Sequence, residues 1–190
     1  FNMTKVKKKV FISYRRENFS WALSIYKSLT SYGYDAYMDL YNGTIGLFEK
    51  RTLNNVRARD YFIIILSPES LQGCDEPNDW LHKEIKVALD SKRNIIPLFI
   101  EGFEFEGIEL PEILAPIKDY QGIKIHEEYF EESMDRLRDK FLGAPFDYVP
   151  WIRKNFAWLI AVGLLAILGI TFILQEFCIE PKPTSTPTIT

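Results

Sequence analysis

An indole and a carboxylate stand four residues apart, Trp80 and Glu84 in the pentapeptide WLHKE, at the head of a run whose apolar members are Leu81, Ile85, Ala88 and Leu89. On a helix, positions i and i+4 share a face, so a flat ring held by Trp80 would lie against the acid of Glu84. Each of the two precedes a member of the apolar stripe by one residue. Both are therefore expected to border the core without lying in it, where a half-buried acid acquires a perturbed pKa. His82 and Lys83 fall on the outer face and are expected to be solvated. Taken alone, the pentapeptide fits a structural reading better: a Trp covering a sheet edge beside a solvated Glu.

The elements around this helix give it a setting. Short apolar runs rich in β-formers alternate with helical patterns, which predicts an α/β domain with a parallel sheet covered on both faces. The strands are read at 10–13 (VFIS), 36–38 (AYM), 61–66 (YFIIIL), 95–100 (IIPLFI) and 122–125 (GIKI), the last at an edge. YFIIIL and IIPLFI are nearly continuous apolar runs, as central strands buried on both faces require. Helices are read at about 20–31 with Gly33 as the stop signal, about 48–57, 80–91 and about 129–142. Five such units fit a flavodoxin-like doubly wound five-stranded sheet of order 2-1-3-4-5, whose ligands bind beyond the carboxyl ends of strands 1 and 3. The segments leaving those strands are Tyr14-Arg15-Arg16 and 67–80, and the loop 39–47 can close over the same edge. Topology thus moves Glu84 from a generic core border to a ligand crevice.

The phosphate cradles of two large enzyme classes are missing. No GxGxxG follows the first strand and no GxxxxGK[ST] occurs, which argues against dehydrogenase and NTPase chemistry. His82 and His126 are the only histidines and neither has a Cys or His at ligand spacing, so no metal site is expected. A net charge of -3 argues against nucleic-acid binding. Lys5, Lys7, Lys8 and Lys9 read as a charged terminal arm able to touch anionic lipid.

At 190 residues the chain accommodates one ordinary domain plus an appendage. Residues 156–174, FAWLIAVGLLAILGITFIL, run nineteen positions without a charge. A helix of that length covers about 28 Å, close to the hydrocarbon thickness of a bilayer, and reads as a transmembrane α-helix. Arg153 and Lys154 precede it, whereas Gln175, Glu176 and Glu180 follow with a lone Lys182. By the positive-inside tendency the N-terminal domain is cytoplasmic in a single-pass membrane protein. The Pro/Thr-rich tail 175–190 is then extracytoplasmic, extended or disordered, and expected to be truncated; Phe1-Asn2 before Met3 likewise reads as a fragment boundary or an expression scar. Cys74 and Cys178 lie on opposite sides of this span, so no disulfide is expected.

KVFISYRR at 9–16, DLYNGTIGLF at 39–48, FIIILSPESL at 62–71 and CDEPNDWLHKEIKVALDSKRNIIPL at 74–98 resemble the TIR domain. The resemblance covers about residues 8–143, with 144–155 left as a juxtamembrane linker. DWLHKEI and KRNIIPL are particularly similar to the NAD-cleaving branch, which includes the animal axon-degeneration enzyme and bacterial defence effectors. The resemblance implies NAD+ glycohydrolase activity, with NAD+ as substrate and no cofactor. It implies Glu84 as the catalytic glutamate and Trp80 as the aromatic against nicotinamide. It places Tyr14, Arg15 and Arg16 on the first loop, and Asp39, Gly46 and Phe48 on or beside the mobile BB loop, as substrate-binding residues. It further implies self-association into a homo-oligomer, in which one subunit's BB loop helps complete its neighbour's site, and a role in defence or cell-death signalling. Asn42 and Thr44 depart from the animal enzyme, which is charged at those positions.

Such a reaction needs little machinery, because nicotinamide leaves as a neutral base from a cationic pyridinium and no general acid has to protonate it. The usual pair of carboxylates reduces to one. Glu84 would orient the ribose hydroxyls and stabilise the oxocarbenium-like sugar, while Arg15 or Arg16 would meet the pyrophosphate with bidentate bonds. The alternative is a non-catalytic TIR adaptor signalling through homotypic contacts, with Glu84 a surface acid.

Overall fold

The computed structural model describes residues 3–40 and 47–150. The chain divides into two compact units, one of Lys5–Asp147 and one of Phe1–Thr4 with Tyr148–Thr190. Most of the second unit, including the expected membrane span at 156–174, the linker residues 151–155 and the tail, lies outside the described residues. Among the described residues no helix is long and apolar enough to cross a membrane.

In chain order the elements are β1 (Met3–Lys7), β2 (Lys9–Ser13), α1 (Phe19–Ser31), β3 (Asp35–Met38), α2 (Leu47–Arg57), β4 (Tyr61–Leu66), α3 (Trp80–Asp90), β5 (Asn94–Phe99), β6 (Ile123–Lys124), α4 (Phe130–Leu137) and β7 (Phe146–Pro150). The main sheet has five strands in the order β3-β2-β4-β5-β6, all pairs parallel. Numbered without β1, that is the expected 2-1-3-4-5.

The period-two alternation of a strand sorts its side chains into two cores. Val10 and Ile12 of β2, Ile63 and Ile65 of β4, and Ile96 and Leu98 of β5 pack under α1 and α4, through Ala22, Ile25, Leu29, Met134 and Leu137. Phe11, Phe62, Ile64, Leu66 and Ile95 face the other way, onto Val56 of α2 and Leu81, Ile85 and Ala88 of α3. Fully burying each such aliphatic or aromatic side chain contributes about 1.5–3 kcal/mol. Register is accordingly rigid, since a one-residue slip would exchange the two cores.

Gly33 stops α1 as expected, with φ +98, a conformation that an L side chain resists. Gly122 lets β6 approach β5: a Cβ there would stand 2.5 Å from the Pro97 carbonyl oxygen and 2.5 Å from the Phe99 ring.

Three features depart from the sequence reading. β1 and β7 form a separate two-stranded sheet, so Lys5 and Lys7 belong to a strand and not to a free arm. Lys8 donates its Nζ to the Leu142 carbonyl and its backbone N–H to the Pro145 carbonyl at 2.9 Å. The last helix is regular only over Phe130–Leu137 and continues as a π-helical turn, Arg138–Leu142. The first two rest on pairings of residues more than a hundred positions apart, which local periodicity does not encode.

Candidate functional site

β2 ends on Ser13, a small polar residue after the apolar run KVFI. Its hydroxyl donates to Glu84 Oε2 at 2.5 Å, across 71 residues of sequence, and the bond is buried. Ser13 sits opposite Ile64 in the β2–β4 register. The carboxylate thus lies at the carboxyl ends of the two central strands, where the chain leaves β2 toward β3 on one side and β4 toward β5 on the other. That is the switch point at which doubly wound sheets bind ligands.

Glu84 is more enclosed than its place in the sequence suggests. It is 2% exposed, not half-buried. Burial pushes its pKa up to about 8, while the Ser13 hydroxyl and the Trp80 indole favour the ionised form and the negative charges of Asp39 and Asp79 add to the rise. Trp80, the first residue of α3, remains half-buried at its start. The two residues anticipated as a pair are therefore a buried acid and a partly accessible plate on one helix.

The expected loop residues divide by what they touch. Tyr14 is buried and donates its hydroxyl to the Asp39 carbonyl at 2.5 Å, tying the exit of β2 to that of β3. Burial first, then the charges of Asp39 and Glu84, push its pKa up to about 12, so it is a neutral donor. The Asp39 carboxylate accepts from Thr52 Oγ1 of α2 at 2.7 Å. Arg16 is exposed at the start of a 3-10 turn, Arg16–Asn18. Phe48 falls in the first turn of α2, and Gly46 lies outside the described residues.

Arg15 does not project outward. Its Nη1 meets Asp79 Oδ2 at 2.6 Å, its Nε donates to the Ser70 carbonyl at 2.8 Å and its Nη2 to the Gln72 carbonyl at 2.7 Å. The expectation that Arg15 is open to a pyrophosphate meets a guanidinium already committed to the loop before α3. Its partner Asp79 caps that helix, accepting the His82 backbone N–H on Oδ1 at 2.9 Å. One carboxylate thus joins the β2 exit to the helix that carries Trp80 and Glu84.

His82 and Lys83 also differ from expectation. His82 is 6% exposed, and its Nδ1 donates to the Cys74 carbonyl at 2.7 Å beneath the folded 67–79 loop. Lys83 is half-covered and pairs with Glu49 of α2 at 2.9 Å. Cys74 is a free, buried thiol whose pKa burial pushes up to about 12, which makes it a poor nucleophile. Among the described residues no group of three or more His, Cys, Asp or Glu side chains could hold a metal ion.

Sequence reasoning overlooked Ser13, Asp79, and the Asn18–Ser67 pair, in which Asn18 Nδ2 donates to Ser67 Oγ at 2.9 Å in the interior. The available signal was a polar residue closing each of two central strands, Ser13 as the last residue of β2 and Ser67 directly after β4.

Residues 10–138 match the family model of the TIR domain, and the chain belongs to that family. The NAD(+) hydrolase tir-1 of Caenorhabditis elegans is 36% identical over 134 residues, 67% of this chain and 14% of the relative. The NAD(+) hydrolase sarm1 of Drosophila melanogaster is 34% identical over 138 residues, 70% of this chain and 10% of the relative. The chain thus spans a small part of the curated relatives it matches. Among solved structures, a metazoan TIR-STING receptor from C. gigas in complex with 2',3'-cGAMP aligns with a TM-score of 0.50 at 20% identity, over 84% of this chain and 46% of that one, a likeness of fold.

Proposed function

We propose that this chain is a membrane-anchored NAD+ glycohydrolase that cleaves the nicotinamide–ribose bond once its TIR domains assemble. The observation that carries the reading is the buried Glu84 carboxyl, bonded to Ser13 at the switch point, on the same helix as Trp80. Its similarity to two NAD(+) hydrolases supports the choice of substrate.

Trp80 stacks on the nicotinamide ring, and the cationic pyridinium favours the ionised form of Glu84 against the burial that opposes it. As the glycosidic bond lengthens, positive charge moves onto the ribose, where a carboxylate in a dry setting stabilises it. Nicotinamide departs neutral, and water completes the hydrolysis to ADP-ribose or a cyclic isomer. Arg16, being exposed, is the arginine available to the pyrophosphate. Arg15 positions the loop and α3. Asp39, Gly46 and Phe48 are further substrate-binding residues in this reading.

A carboxyl only 2% exposed meets a substrate only after what covers it shifts. Assembly supplies that step in this reading, and a span at 156–174 concentrates the domains in a membrane, so a weak homotypic contact suffices. The organisation proposed is a cytoplasmic TIR domain at 8–143, a linker at 144–155 and an extracytoplasmic tail at 175–190, acting in defence or cell-death signalling.

The same enclosure, with Arg15 turned inward, favours one rival: an adaptor whose TIR surface binds other TIR domains without catalysis. Forced oligomerisation of the full chain with NAD+ separates them, with nicotinamide followed by chromatography. Nicotinamide release that rises with assembly supports hydrolysis; demonstrable oligomers with intact NAD+ establish the adaptor.

A further inference from the structure

The opposite edge of the sheet holds a cleft of about 530 Å3, a volume in the range of small-molecule sites. Its strands contribute their first residues, Tyr61 of β4 and Asn94 of β5, whereas Ser13 is the last residue of β2. The cleft is therefore separate from the crevice at Glu84.

Its lining has three chemical parts. Leu89, Ile95 and Phe141 supply apolar surface, and Tyr61 and Tyr120 supply two aromatic rings, Tyr61 from the α1/α4 core and Tyr120 from the α2/α3 core. Lys92, Arg93 and Lys140 supply positive charge, and none of the lining residues is acidic, in a chain whose net charge is -3. Arg93 is fixed in place, its Nε donating to the Ser91 carbonyl at 2.8 Å and its Nη1 to the Arg59 carbonyl at 3.2 Å. Lys92 and Lys140 are both exposed, and among the described residues neither has an ion-pair partner.

The backbone adds an independent observation. Lys92 follows α3 with φ 53, the left-handed conformation that glycine adopts without steric penalty and lysine does not. Its N–H closes onto the Leu89 carbonyl at 2.9 Å, so the chain holds a lysine where a helix C-terminus favours glycine. A strained residue lining a cavity points to a use for its side chain.

We propose that this cleft binds a phosphorylated ligand carrying a planar ring, of the mononucleotide class, with the ring against one of the tyrosines and the phosphate at Lys92 and Lys140. The site does not depend on NAD+ hydrolysis.

The test is titration of the full chain with adenosine 5'-monophosphate, beside adenosine and inorganic phosphate as its two halves. Binding of the nucleotide should exceed that of either half and weaken as salt is raised. Lys92→Gly should weaken it about tenfold, the loss of one charge-assisted contact, while raising the melting temperature by relieving the backbone. Lys140→Gln should weaken it similarly, and Lys27→Gln, an exposed lysine of α1 outside the cleft, should leave it unchanged. Absence of nucleotide binding, full affinity in the Lys92 and Lys140 variants, phosphate binding as tight as the nucleotide, or an equal loss in Lys27→Gln would each overturn the proposal.

Discussion

Ser13 and Glu84 are joined by a buried 2.5 Å hydrogen bond that links the end of the first strand of the parallel sheet to the helix five elements later. It opposes the effect of burial on the carboxyl. Replacing Ser13 by Ala should raise the Glu84 pKa above about 8 and leave a buried acid short of a partner, destabilising the fold by about 1–3 kcal/mol. The pH profile of kcat/KM checks the first effect. If the ionised acid is the working form, the rate of the wild type climbs with pH toward about 8, and the Ser13→Ala limb lies at higher pH. Superimposable limbs would contradict it.

The same shift makes a stability prediction whose sign follows from linkage. The unfolded chain carries Glu84 near its ordinary value of 4.5, the folded chain near about 8. Below the first value both states are protonated and the group has no effect. Between the two, only the unfolded state releases the proton, so stability falls as pH rises and levels off above the second. Glu84→Gln removes this loss. Denaturant melts should show the variant gaining on the wild type from pH 5 to pH 8, by an amount on the order of a few kcal/mol. Parallel pH curves for the two proteins would refute the assignment.

Much of this arrangement was legible in the sequence. The strands could be read because YFIIIL and IIPLFI are buried on both faces, and their order followed from five right-sized units. The hydrogen bond from Ser13, the inward turn of Arg15 and the burial of His82 were not legible, because each depends on the 67–79 loop or on partners far away in sequence. That loop has no hydrophobic period; its shape follows from the Arg15 contacts with Ser70, Gln72 and Asp79.

Arg15 and Asp79 act on the site through α3. Arg15→Lys keeps the charge but loses the planar fork that reaches two carbonyls and a carboxylate together. It should destabilise the domain by about 2 kcal/mol and lower kcat more than it raises KM. Hydrogen exchange checks the cause: amides of residues 67–82 should lose protection, while those of β4 keep it.

Trp80 is expected to act in binding. Trp80→Ala should raise KM about tenfold, and Trp80→Phe, which retains a ring, should recover most of the loss. Steady-state kinetics with NAD+ decides it. Equal KM values for both variants and the wild type would remove Trp80 from the site.

The central claim is that the Glu84 carboxylate carries the reaction. The direct measurement is nicotinamide release from NAD+ by the full chain under forced assembly, wild type beside Glu84→Gln, with oligomer size matched. Loss of turnover by about a thousandfold or more, from a variant that folds and assembles like the wild type, is the expected result. Turnover unchanged in Glu84→Gln would contradict the account.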